Sequence, residues 1–251
     1  MRNVNRRELL SGTALVMFGT MAARARTVQG AIPWAPAAGA PPRPVLSGPW
    51  HFFTPAEGRT VEAIVDRIIP PDPEAPGGKD IGCAVFIDRQ LAGPFGRAEG
   101  RYASGPFLTG TKEQGSQSRF DPAAQYRAAI RAVDAYSKQK FDGHAFVDLA
   151  AADQDAVVGA IEAGTLPIED IDTKAFWTML LKNTREGFFA DPLYGGNHDM
   201  AGWKMLGFPG ARYDHSDWID RHNEPYPHPP IGITEAPLWS PGRPSGVSDG
   251  R

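Results

Sequence analysis

The chain has 251 residues, of which 41% are hydrophobic and 22% are charged, and its formal net charge at neutral pH is -3. These values are ordinary for a globular protein of one domain, and they argue against a membrane protein and against disorder throughout the chain. No basic stripe is interleaved with aromatic residues, which argues against nucleic-acid binding. The 24 prolines and 28 glycines predict long irregular stretches between the regular elements.

Residues 1–25 have the features of an export signal. Arg6 and Arg7 precede a modest apolar run over residues 13–23, and Ala23-Arg24-Ala25 fits an A-x-A cleavage pattern. The run is too short and too weakly apolar to span a bilayer as a stable helix. Paired arginines ahead of such a run favour a twin-arginine signal over an ordinary secretory leader. We therefore expect a periplasmic protein that the twin-arginine route exports in the folded state.

Residues 26–53 form a Pro/Ala-rich arm that carries several aromatic residues, among them Trp34 and Trp50. A proline-rich extended segment loses little entropy on ordering, and aromatic side chains along it can serve as anchors in pockets of another protein. The same aromatic residues can equally pack on the chain's own core. Both interpretations remain open at this point.

Five helices are predicted within residues 54–210. The first has Thr54 and Glu57 in a capping box, with Pro55 at the first helical position. Apolar residues at three- and four-residue spacing indicate the others. The predicted helices run from Pro55 to Pro70-Pro71, from Asp80 to Gly93-Pro94, from Asp121-Pro122 to about Tyr136, from Ala151 to Ala163, and from Asp172 towards Phe188-Phe189. In the fourth helix, the residues expected to be buried are Ala156, Val157, Ala160 and Ile161.

No stretch of the sequence alternates convincingly with a period of two. The predicted fold class is therefore all-α, a single helical domain of about five helices with long irregular arms and loops. Residues 95–120 are interpreted as an ordered surface loop, and residues 211–251 as an irregular C-terminal tail.

The most distinctive stretch runs from Asp191 to Gly210. Asp191-Pro192 favours a turn, and the glycines that follow permit positive φ angles and close backbone approach. Large apolar side chains beside glycines suit tight docking, although a loop that covers the domain's own core would have the same composition. The predicted partner interface consists of Trp34, Trp50, Asp191, Tyr194, Gly195, Gly196, Asn197, Trp203, Phe208 and Pro209.

Motifs for a cofactor are missing from the sequence. With Cys83 as its single cysteine, the chain cannot hold a c-type haem or an iron–sulfur cluster in the usual way. The glycine cluster at residues 77–82 has the wrong spacing for a dinucleotide site, and there is no H-E-x-x-H or G-x-S-x-G motif. We expect no catalytic, cofactor-binding or metal-binding residues in this chain. Such an exported chain suggests an escort for a partner that carries the cofactor.

Cys83 itself allows two interpretations. An unpaired cysteine in an oxidising compartment can form a disulfide with another chain. Its place on a predicted helix face with Ile87 and Leu91 favours a buried free thiol.

Several stretches together resemble the gluconate 2-dehydrogenase subunit 3 family. They are the paired-arginine leader, the helix from Thr54 to Pro70, the segment from Phe86 to Leu91, and the stretch from Asp191 to Gly210. The resemblance implies a small subunit that accompanies an FAD-containing large subunit of the glucose–methanol–choline oxidoreductase class, often with a multihaem cytochrome c subunit. It implies oxidation of a sugar or sugar-acid hydroxyl, with hydride passing to FAD in the large subunit. Catalytic residues would then belong to the partner, and contact with the membrane would be indirect.

Two other functions compete with the escort subunit. One is a stand-alone exported enzyme with a site formed by His198, Asp199, His215 and Asp217. The other is a periplasmic interaction protein unrelated to redox chemistry.

Overall fold

A computed structural model describes residues 49–101, 105–108, 110–111, 114, 117–212, 215 and 218–233. The predicted leader with Arg6 and Arg7, and most of the arm with Trp34, lie outside these residues. The described part contains six α-helices, three short 3-10 helices and no strand, which confirms the all-α prediction. The helices are α1 (Pro55–Ile68), α2 (Cys83–Ala92), α3 (Pro122–Lys140), α4 (Ala151–Glu162), α5 (Thr173–Phe189) and α6 (Ala201–Leu206).

The predicted capping box at the start of α1 is present. The Thr54 hydroxyl accepts from the Glu57 amide at 3.3 Å, and the Glu57 carboxylate accepts from the Thr54 amide at 2.8 Å. Arg127 on α3 donates to the same carboxylate at 2.6 Å and so ties α1 to α3. Burial by itself raises the pKa of Glu57, but the hydrogen bonds from Thr54 and Arg127 outweigh it, so the pKa lies below its ordinary value.

Helix α2 begins three residues later than the sequence predicts. Asp80 lies in a turn, and the helix begins at Cys83. The residue between the turn and the helix, Gly82, has a φ of 87°, a left-handed conformation that interrupts a helix and suits glycine. A Cβ at Gly82 would also lie 3.0 Å from the Gly195 carbonyl oxygen. The predicted start at Asp80 is therefore wrong, because the backbone reverses its twist at Gly82.

The core lies between α1, α2, α3, α4 and α5. Helices α2 and α5 pack closely, and a Cβ at Gly187 of α5 would lie 3.1 Å from the Cys83 Cα. The buried Tyr126 of α3 accepts a hydrogen bond at 2.9 Å from the Asn183 side-chain amide of α5. In α4, Ala156 is exposed and Val158 is buried instead, so the predicted apolar face was wrong at that position.

One buried carboxylate binds the end of the arm to α2. Asp88 is fully buried and accepts hydrogen bonds at 2.9 Å from the backbone amides of His51, Phe52 and Phe53. Its neighbour Arg89 forms an ion pair with the same carboxylate at 2.5 Å. Three consecutive amides and one guanidinium thus satisfy a charge that would otherwise be costly to bury.

The aromatic residues at the end of the arm also pack on the chain's own helices. The Trp50 indole lies across Gly58 of α1, where any Cβ would collide with the ring. The Arg127 guanidinium stacks over the Phe52 ring, 4.3 Å from its centroid, and Phe53 belongs to the core. Packing on the chain's own core therefore accounts for Trp50, Phe52 and Phe53 of the arm.

Candidate docking site on the segment after α5

Asp191 organises the chain directly after α5. Its carboxylate accepts from the Leu193 amide at 2.9 Å, within the 3-10 helix Pro192–Tyr194, and from the Ile233 amide at 2.7 Å. One side chain therefore caps a local turn and holds residue 233 from the C-terminal tail. The 3-10 helix ends at Gly195, which has a φ of 96°.

Asn197 fixes the next part of the segment. Its side chain is fully buried, donates to the Ala190 carbonyl at 2.9 Å and accepts from the Gly202 amide at 2.9 Å. Its backbone amide donates to the Gly187 carbonyl at 2.8 Å. The adjacent Gly196 lies so close to that carbonyl that a Cβ would collide with its oxygen. The glycine-rich stretch is thus packed tightly against the end of α5.

A short helix that sequence patterns did not predict completes the segment. Helix α6 follows Met200, which has a φ of 55°. Trp203 of α6 is buried and donates from its indole N–H to the Phe189 carbonyl at 2.8 Å, and its ring meets that of Phe208 edge to face at 5.3 Å. Six residues are too few for helical periodicity to show in a sequence.

Large apolar side chains on this segment remain exposed. Residues 189–208 carry five of the nine large hydrophobic side chains that are exposed among the described residues. The five and their exposed fractions are Phe189 39%, Tyr194 45%, Met205 45%, Leu206 62% and Phe208 47%. We call these five side chains the exposed apolar cluster. A contiguous exposed apolar patch is typical of a protein–protein contact, whereas single scattered residues are normal, and we therefore take this segment as the candidate docking site.

Two members of this cluster, Phe189 and Tyr194, line a groove. Its volume is about 470 Å³, and it is bounded by Phe86 and Gln90 of α2, Glu186 and Phe189 of α5, and Asp191 and Tyr194 beyond α5. Its lining is mainly apolar. Of its two carboxylates, Asp191 is buried and accepts two backbone amides, and Glu186 has the Lys182 amine at 3.7 Å. The arrangement can receive an apolar side chain.

The structure places the predicted interface residues in different environments. Asp191, Gly196, Asn197 and Trp203 are buried within this chain, and Gly195 and Pro209 are half-buried. The residues with exposed surface are Tyr194 and Phe208. Trp50 packs on the chain's own core, and Trp34 lies outside the described residues. The predicted interface stays a prediction, and it did not include the exposed positions Phe189, Met205 and Leu206, because composition does not reveal which way a side chain points.

The residues of the alternative enzyme site are not brought together in the described part of the chain. The His198 imidazole lies 3.3 Å from the Asp199 carboxylate, and both side chains are well exposed. His215 packs against the Tyr226 ring, at 5.5 Å between centroids, and Asp217 lies outside the described residues. Among the described residues, no three His, Cys, Asp or Glu side chains are grouped so that they could hold a metal ion.

Cys83 is buried in the core, at the contact between α2 and α5. Burial raises the pKa of its thiol to about 12. A thiol of that kind is protonated at neutral pH and poorly reactive. The structure therefore favours the interpretation of Cys83 as a buried free thiol. A disulfide to another chain would require α2 to move.

The match to a known family covers most of the described residues. Residues 55–210 match the family described as gluconate 2-dehydrogenase subunit 3. The chain belongs to this family. The matched region begins at the first residue of α1 and ends just after the exposed apolar cluster, so it contains the whole candidate docking site. A description as a subunit fits an accessory role in a larger enzyme.

No curated protein and no solved structure is significantly similar to the chain. Within the part of the chain that the structure describes, none of the helices has the length and apolar character needed to cross a membrane.

Proposed function

We propose that the chain is a small accessory subunit of a periplasmic, FAD-dependent dehydrogenase complex of the gluconate 2-dehydrogenase type. In this proposal it binds a glucose–methanol–choline-type flavoprotein, stabilises it and accompanies it through the twin-arginine route. FAD is held by that large subunit, and haem c by a cytochrome subunit where the complex contains one. The chain itself contributes no catalytic residue, and the hydroxyl of the sugar or sugar acid is oxidised in the partner.

The exposed apolar cluster is the observation that carries this proposal. Isolated exposed hydrophobic residues are normal on any protein, but five within 20 residues, on a segment held by Asp191, Asn197 and Trp203, are not. Aromatic residues and methionine are enriched at interfaces, and a rigid segment loses little entropy when it docks. The family match over residues 55–210 supports membership in a gluconate dehydrogenase complex of several subunits, and the flavoprotein as the partner is part of the proposal.

The first experiment is co-expression with a glucose–methanol–choline-type flavoprotein from the same organism. We expect the flavoprotein to co-purify with this chain, and its yield and its dye-linked gluconate oxidation to fall when the chain is omitted. If the flavoprotein is exported and active to the same extent alone, the escort role is wrong. A flavin or haem spectrum, or dehydrogenase activity, in the purified chain alone would instead support the stand-alone enzyme.

A matched pair of variants then tests the docking site. Leu206→Glu places a charge in the exposed apolar cluster, at a residue that is 62% exposed in the free chain. Leu108→Glu makes the same change at a leucine that is 70% exposed outside the cluster. We expect Leu206→Glu to weaken co-purification by about tenfold or more and Leu108→Glu to leave it unchanged, because burying an unpaired carboxylate is costly. Equal behaviour of the two variants would contradict the proposed site.

The export route has its own test, because Arg6 and Arg7 lie outside the described residues. Replacing both with lysine keeps the positive charge of the leader while removing the arginine pair. We expect the chain and its flavoprotein to be retained together in the cytoplasm. Unchanged export of both would show that another leader or another route is used.

A further inference from the structure

A second groove lies between α3, α5 and the segment that follows α2. Its volume is about 650 Å³, which is within the range of sites that bind small molecules. Ala175, Thr178 and Met179 of α5 line it, as do Phe95 and Ala98 after α2, and most of the lining is apolar. We call this space the α3–α5 groove. None of the five side chains of the exposed apolar cluster lines it, so it is separate from the candidate docking site.

Hydrogen bonds hold the walls of the α3–α5 groove in place. The Arg101 guanidinium, which lines the groove, donates to the carbonyls of Ser118 and Phe120 at 3.1 Å and 3.3 Å. The Ala123 amide at the start of α3 donates to the Gly96 carbonyl at 3.1 Å. The segment after α2 is thereby tied to the start of α3. The groove is therefore formed by the chain alone, as most sites for small molecules are.

Two buried amide side chains also line the α3–α5 groove. Asn183 of α5 is 2% exposed, and Gln125 of α3 is 6% exposed. The Asn183 amide donates to the Tyr126 hydroxyl at 2.9 Å. The Gln125 amide donates to the Phe120 carbonyl at 2.9 Å. The oxygens of the two side chains, Asn183 Oδ1 and Gln125 Oε1, accept no hydrogen bond within the described part of the chain. Since a buried acceptor without a donor costs free energy, both oxygens favour a ligand that donates a hydrogen bond.

The charged groups at the border of the α3–α5 groove have partners within the chain. Glu99 pairs with Arg97 at 2.7 Å, and the Lys182 amine lies 3.7 Å from the Glu186 carboxylate. Arg101 binds the two carbonyls named above. An ionic ligand would therefore have to compete for these charges, and an anion would also face the two acceptor oxygens. A sugar acid, which is anionic and polar throughout, does not match such a site.

We propose that the α3–α5 groove binds a small neutral molecule with an apolar body and one hydroxyl or N–H group. The body lies against Phe95, Thr178 and Met179, and the hydroxyl or N–H group donates to the oxygens of Gln125 and Asn183. This inference goes beyond the proposed function and does not depend on it. The ligand site and the docking site share no exposed side chain, so either can fail alone.

The test follows binding of the neutral fluorescent probe N-phenylnaphthylamine to the purified full-length chain. This probe has an apolar aromatic body and a single N–H group, and we expect a saturable rise in its fluorescence. Decanol should displace it about fivefold more effectively than methyl nonyl ether, an isomer that lacks the donor. Decanoate should displace it at least about tenfold less effectively than decanol, because its carboxylate would be buried against acceptor oxygens.

Two variants locate the probe. Thr178→Trp places an indole in the α3–α5 groove and should weaken binding of the probe by about tenfold or more. Ala156→Trp, at an exposed residue of α4 outside the groove, should bind the probe as the unchanged chain does. Circular dichroism checks that both variants are folded.

Four results would overturn the proposal. They are the absence of saturable binding, equal displacement by decanol and the ether, unchanged binding in folded Thr178→Trp, and loss of binding in Leu206→Glu. The last of these would place the probe on the exposed apolar cluster instead. Displacement of the probe by the flavoprotein would assign the groove to that partner, and this result would overturn the proposal too.

Discussion

Replacing Asp88 with asparagine should destabilise the chain more than any surface substitution. The Asp88 carboxylate is fully buried, and its two oxygens accept the amides of His51, Phe52 and Phe53 while pairing with Arg89. Asparagine keeps one acceptor oxygen, but its NH₂ group is a hydrogen-bond donor. In either orientation this group faces another donor, a backbone N–H or the guanidinium, and cannot form a hydrogen bond with it. Removing one partner of a buried ion pair costs about 3–5 kcal/mol, because the remaining charge stays buried.

The measurement is urea denaturation followed by circular dichroism at neutral pH. We expect the free energy of unfolding to fall by about 3–5 kcal/mol, with a drop in Tm of the order of 10 °C. The control is Asp199→Asn, where the carboxylate is 80% exposed and the change should stay within about 0.5 kcal/mol. If Asp88→Asn lowers the free energy of unfolding by less than about 1 kcal/mol, water can take the place of the arm's hydrogen bonds with little loss of stability, and the reasoning is wrong.

Three further predictions concern other described residues. Glu57→Gln should lower the free energy of unfolding by about 1 kcal/mol at neutral pH. Because the Glu57 pKa is lowered in the folded chain, this difference should shrink as the pH falls through that lowered pKa. A difference that does not depend on pH would contradict the prediction. Cys83, with its pKa raised to about 12, should not react with a thiol reagent in the native chain at about pH 8 but should react fully in urea; native reaction at the unfolded rate would show that the thiol is accessible. Gly196→Ala forces a Cβ against the Gly187 carbonyl and should lower the free energy of unfolding by about 1–3 kcal/mol. Gly159→Ala, which has open space around its Cβ, should raise that free energy by about 0.5–1 kcal/mol in the same urea assay. Equal effects of the two variants would refute the close approach of Gly196 to the Gly187 carbonyl.

The sequence predicts those parts of the fold that depend on neighbouring residues. The caps Thr54, Asp121 and Asp172 all accept amide hydrogen bonds at the predicted helix starts. Each of these bonds is local, so the pattern of residue types is enough to predict it. The apolar stripe of α3 is likewise buried from Tyr126 to Val133. Five of the six described helices were predicted for this reason.

What the sequence could not predict depends on contacts between distant residues. The late start of α2 follows from Gly82, whose conformation is fixed beside Gly195, more than 100 positions away. Asp191 and Asn197 were recognised as turn formers, but the partner of Asp191 at Ile233 cannot be deduced from a turn pattern. For the same reason, composition could not separate the residues of the segment after α5 that anchor it within the chain from the side chains that face outward.

The contact between Trp50 and Gly58 has a consequence for how the family can vary. Glycine lowers the stability of a helix, so α1 is intrinsically weaker at position 58 than it would be with alanine. The indole occupies the space that any other side chain would need. The two positions are therefore expected to change together among relatives, with glycine at 58 retained wherever tryptophan stands at 50. A relative with a larger residue at 58 should have lost the indole, and its arm should then be held by the buried carboxylate at 88 together with the packing of the residues at 52 and 53.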